Sequence, residues 1–73
     1  MTLLEVPAGA RVRIHQVKAR PEVSLRLREL GLCEEAVISC VSKSRGNVIC
    51  GIRNTRIGLD HRLARSIHVS VAE

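Results

Sequence analysis

The chain has 73 residues, 45% of them hydrophobic, yet no phenylalanine, tyrosine or tryptophan, so valine, leucine, isoleucine and alanine must build its core. That length holds one domain, residues 1–73, with a core that stabilises it by only ~3–5 kcal/mol, and the missing aromatics remove the platforms on which most single-stranded nucleic-acid binders stack bases. Twelve lysines and arginines against seven acids give +5, with six basic and five acidic residues before Ala36 and six against two from there on, a balance that favours an acidic partner surface, a phosphate-bearing ligand or an anionic membrane face.

The N-terminal MTLLEVPAGA is short and apolar, without the basic start and long apolar run of a secretory signal, and no stretch of ~18 apolar residues follows it. A cytoplasmic protein is therefore expected. Pro7 to Gly9 marks a turn. Arg11 to Val17 then alternates Val12 and Ile14 with Arg11, Arg13 and His15, the period-two pattern of a strand. Lys18 to Pro21 is a polar loop leading into a helix at about 22–30, with Pro21 ahead of or inside its first turn. Val23, Leu27 and Leu30 fall at i, i+4 and i+7, so one apolar stripe can face a core while Arg26 and Glu29 stay in water. Gly31 offers the left-handed backbone that ends such helices.

A second strand is expected from Ala36 to Ser42, with Ile38 and Cys40 on one face and Val37, Ser39 and Val41 on the other. Lys43 to Asn47 is a polar turn around Gly46, and Val48 to Arg53 returns as the other arm of a hairpin. Asn54 and Thr55 form another tight turn before a short strand at Arg56 to Leu59. Asp60 can cap a single helical turn at about 60–65 that sends Leu63 and Ala64 inward. Ile67, Val69 and Val71 then alternate through the last strand. The expected fold is mainly β: a small SH3-like barrel of five to six short antiparallel strands, one inserted α-helix and one short helical turn.

Enzymatic chemistry has no carriers here: there is no Ser, His and Asp constellation, no paired carboxylates, no HExxH and no phosphate-binding glycine loop. Cys33, Cys40 and Cys50 are odd in number and lack the close CxxC spacing of zinc sites, which points to free thiols in a reducing compartment. Cys40 and Cys50 stand about equally far from the Gly46 turn and so face each other across the hairpin. The plain reading makes them small core residues. The sharper one is a soft-metal site in which Cys33 or His61 joins that pair around ferrous iron or zinc, although no cofactor is required. His15 and His68 fall on outward strand positions. Lys43, Arg45, Arg53, Arg56 and Arg62 come from two turns and their strands; they either gather at one end or flank of the barrel, as a patch for an acidic partner surface or phosphate groups, or form a scattered solvated set.

Gly9 opening the first strand, RLRELGL at Arg26 to Leu32, RIGL at Arg56 to Leu59, and then Leu63, Ala64, Ile67 and Val69 make the chain resemble the FeoA family of bacterial ferrous iron uptake over about Leu4 to Val71. The resemblance implies a non-enzymatic accessory protein that docks on the cytosolic, GTPase-bearing region of the FeoB transporter. It would be peripheral to the membrane only through that partner, a monomer or weak dimer, and without a specific nucleic-acid target. One position departs from the pattern: the family usually has glycine where this chain has Glu35, and a slightly different turn is expected there. Partner contacts are expected from the helix around Arg26 to Leu30, from Leu32, Cys33 and Glu35 in the following loop, and from Arg45 and Arg53; an exposed Leu25, Leu32 or Cys33 would form a small apolar contact, core burial being the plain reading of all three. Two other functions compete with docking, a small transition-metal sensor or carrier and a basic nucleic-acid-binding barrel.

Overall fold

The computed structural model describes residues 1–72. Its strands are β1 (Arg11–Val17), β2 (Val37–Ser44), β3 (Asn47–Ile52), β4 (Thr55–Asp60) and β5 (Ile67–Val71), with helices α1 (Pro21–Glu29) and α2 (His61–Arg65). They form one antiparallel sheet in the order β4-β3-β2-β1-β5. This is the small SH3-like barrel the alternation predicts, with α1 inserted after the first strand. No helix of the described residues is long and apolar enough to cross a membrane.

Alternation carries the core. Val12 and Ile14 of β1, Ile38 and Cys40 of β2, Val48, Cys50 and Ile52 of β3, Leu59 of β4, and Ile67 and Val69 of β5 all turn inward and are buried. Among the described residues no polar or charged side chain is buried with them. Two bulges bend the sheet: register shifts between Cys40 and Ser42 opposite β3, and between Ile14 and Gln16 opposite β5. An extra residue on one strand sharpens the local twist, which lets so short a sheet curl around a core.

The N-terminal segment does more than its apolar character promises. Leu3–Glu5 form a 3-10 turn, Thr2 bridges to His68, and the Val69 N–H donates to the Met1 carbonyl at 2.8 Å. Leu3 and Val6 are thereby fully buried, and part of the outer edge of β5 is covered. Glu5 accepts a hydrogen bond from the Thr2 N–H at 2.6 Å, and that bond holds its carboxyl below the usual range.

α1 ends in a Schellman motif that also directs the chain back into the core. Gly31, at φ 99, donates to the Arg28 carbonyl at 3.0 Å, and Leu32 donates to the Leu27 carbonyl at 2.8 Å. Leu27 and Leu32 both bury on the inner side of this turn. Positive φ favours glycine at position 31, and a Cβ there would also stand 3.2 Å from the Ile52 side chain, a tight contact.

Candidate functional site

The stripe Val23, Leu27, Leu30 does not pack uniformly. Leu27 is buried, Val23 is half-buried and Leu30 stays 47% exposed. The helix therefore leans over the barrel on its Leu27 side and leaves an open groove between itself and β4. Val23, Leu27 and Leu30 form one wall, Ile57 and Leu59 of β4 the other, and Leu63 of α2 contributes from a third side, enclosing about 440 Å³. Glu22 and Arg26, four residues apart on α1, supply its charged lining.

The position of β4 adds a second property. It is an outermost strand of the sheet, so one row of its backbone groups has no strand partner. An apolar cavity beside an unpaired strand edge suits a partner segment that offers apolar anchors and backbone hydrogen bonds.

The residues expected to make partner contacts are scattered. Arg26 lines the groove. Leu32 does not face a partner: the Schellman motif pins it in the core at 1% exposure. Cys33 is half-buried and Glu35 exposed, both in the loop between α1 and β2. Arg45 and Arg53 do not gather at one end of the barrel. Arg45 lies in the two-residue turn between β2 and β3 and Arg53 in the turn between β3 and β4, so the length of β3 separates them. Two consecutive hairpins necessarily place their turns at opposite ends of the shared strand.

Glu35 keeps the backbone that the resemblance associates with glycine. Its φ is 75, against the expectation of a different turn. The loop is held from both sides, with the Glu35 N–H donating to the Ile14 carbonyl at 2.8 Å and the Ile14 N–H to the Ala36 carbonyl at 2.9 Å. Those bonds to β1 fix the loop path, and the side chain conforms to it.

Cys40 and Cys50 are register partners across β2 and β3, and both are fully buried. The Cys40 N–H and carbonyl bond to Ala10 and Gly9 on the other side of the strand, so the cysteines face each other as a non-hydrogen-bonded pair. Burial, and secondarily the neighbouring Cys40, pushes the Cys50 thiol up from 9.0 to about 12. Such a thiol resists the deprotonation that metal ligation needs. Cys33 lies in the loop before β2, and His61 Nε2 is 3.1 Å from the Ser44 carbonyl oxygen. Among the described residues no three of His, Cys, Asp and Glu stand together as a metal-ligand group.

The sequence pointed to the helix around Arg26 to Leu30 but not to the groove it forms with β4, because a stripe at helical spacing reads as core. The groove's signal was the width of the apolar set, since Ile57, Leu59 and Leu63 add more apolar surface than one short helix covers.

Comparison with known proteins follows the same architecture. The family model described as the FeoA domain matches residues 1–71. The solution structure of the FeoA protein from Chlorobium tepidum is 25% identical, covers 100% of this chain and 71% of its own, and superposes with a TM-score of 0.92. That of iron(II) transport protein A from Clostridium thermocellum is 27% identical over 97% of this chain and 45% of its own, with a TM-score of 0.88. A crystal structure of an iron uptake regulatory protein (FeoA) shares the fold at a TM-score of 0.86 and 21% identity, over 99% of this chain and 96% of its own. No curated protein matches the sequence.

Proposed function

The chain belongs to the FeoA family, and we propose that it serves ferrous iron uptake as a non-enzymatic accessory protein, docking through the groove between α1 and β4 onto the cytosolic part of a FeoB-type transporter. The observation that carries the docking site is the half-exposed Leu30 over a cavity walled by Val23, Ile57, Leu59 and Leu63. Buried anchors supply most of the energy of protein interfaces, and a preformed apolar pocket is where such an anchor seats. The charged residues that line the groove, Glu22 and Arg26, lie one helical turn apart on α1, where they can meet polar groups flanking an apolar anchor. The names of the relatives, an iron(II) transport protein A among them, support the link to ferrous iron transport.

The reading is tested by co-purification. Tagged protein should retain the detergent-solubilised FeoB-type transporter, and Leu30→Asp should lose it while folding normally. Equal retention of the transporter by both proteins would refute the docking site, and no retention by either would refute the partner.

A further inference from the structure

The outer face of the sheet carries a second concavity, which shares no residue with the groove. Register places Arg11 opposite Ser39, Ser39 opposite Gly51, and Gly51 opposite Arg56, so one row runs across β1, β2, β3 and β4. The inward positions beside this row, Val12, Ile38, Cys40, Cys50 and Ile52, are buried, which puts the row itself on the solvent side. Its ends are long cationic side chains and its middle is a serine and a glycine. Ser39, Val41, Gly51 and the turn residues Arg53 to Arg56 enclose about 330 Å³ there.

Apart from Val41 and Gly51, every side chain of the lining can donate a hydrogen bond: the Ser39 and Thr55 hydroxyls, the Asn54 amide and the Arg53 and Arg56 guanidinium groups. No carboxylate lines the cavity. The ion pairs among the described residues, Arg13 with Glu35 and Arg28 with Glu34, engage none of Arg11, Arg53 and Arg56. Ser39 Oγ reaches the Gly51 carbonyl at 3.4 Å, the long limit of a hydrogen bond, so the hydroxyl is free to turn toward a ligand. A Cβ on Gly51 would stand 2.8 Å from that oxygen and 3.2 Å from the Val41 side chain, so glycine leaves the floor of the cavity open beneath the hydroxyl.

Arg53 also occupies a costly backbone. It begins the two-residue turn between β3 and β4 at φ 55, a conformation that glycine or asparagine adopts with less strain. A strained residue that carries a guanidinium to the rim of a donor-lined cavity suggests a site held for function.

We propose that this cavity binds a phosphate group. Arginine forks match phosphate oxygens, and the hydroxyl and amide donors complete its coordination without a competing carboxylate. The site is open to solvent, so its affinity falls with added salt. The proposal does not depend on the groove or its partner. The phosphate can come from a soluble compound or from a lipid headgroup, and the two are separable.

The test is a titration of the isotopically labelled protein with inorganic phosphate at constant ionic strength, followed by amide chemical shifts. Saturable shifts are expected at Gly51, Asn54, Thr55 and Arg56. Arg56→Gln should weaken binding about tenfold, the loss expected for a charge-assisted contact. Arg53→Gly should weaken it similarly while raising the denaturation midpoint, because it relaxes the turn; loss of binding then cannot be loss of fold. Co-sedimentation with phosphatidic acid vesicles, abolished by Arg53→Gly, would identify a lipid headgroup as the source, whereas phosphate binding without vesicle binding would identify a soluble one. Shifts that never saturate, that chloride reproduces, or that both variants retain would overturn the proposal.

Discussion

Glu35 shows how a loop can impose a backbone on a residue poorly suited to it. With φ at 75, an L-residue pays a steric cost that glycine avoids, and the exposed side chain recovers little through its 3.9 Å approach to Arg13. Glu35→Gly is therefore expected to raise stability by about 0.5–1 kcal/mol in urea denaturation; a loss of stability would show that the side chain matters more than the backbone. Cys50 gives a pH dependence of known sign. Its thiol titrates at about 12 in the folded chain against an ordinary 9.0, so between those values the unfolded chain binds fewer protons and stability falls as pH rises. The slope approaches about 1.4 kcal/mol per pH unit, should appear in denaturation from about pH 9 to 11, and should be flattened in Cys50→Ala. The absence of tyrosine removes one competing titration.

Among the elements, α1 carries both packing and recognition, and the two roles fall on adjacent side chains. Leu27→Ala empties a filled core position and should cost about 2–5 kcal/mol, whereas Leu30→Ala, at a half-exposed site, should cost less than about 1 kcal/mol. Thermal and chemical denaturation distinguish them, and equal costs would mean that Leu30 belongs to the core. The strands and both helices were legible in the sequence because period-two alternation, Pro21, Gly31 and Asp60 act locally. What local pattern does not encode is how far each apolar residue is covered. Leu30 and Leu32 look alike as leucines either side of Gly31, yet only Leu32 is turned inward by the helix-ending hydrogen bonds. The placement of Arg45 and Arg53 depends likewise on the order of the hairpins rather than on either turn.

At the scale of the whole molecule, a small aromatic-free barrel spends most of its large apolar residues on one core and leaves Met1, Leu25, Leu30, Val37 and Val71 exposed, of which only Leu30 lines the groove between α1 and β4. The bulk charge of the second half suggested an electrostatic partner surface, but its arginines spread over both ends of the sheet, and the apolar groove offers a more localised site for docking. Leu25 provides the control: it is also on α1, is 60% exposed, and does not line the groove. The most direct measurement is the dissociation constant for the purified FeoB-type transporter with the wild-type chain, Leu30→Asp and Leu25→Asp. Docking through the groove predicts at least about a tenfold loss for Leu30→Asp and little change for Leu25→Asp. Equal affinities for all three proteins, or a greater loss at Leu25, would contradict it.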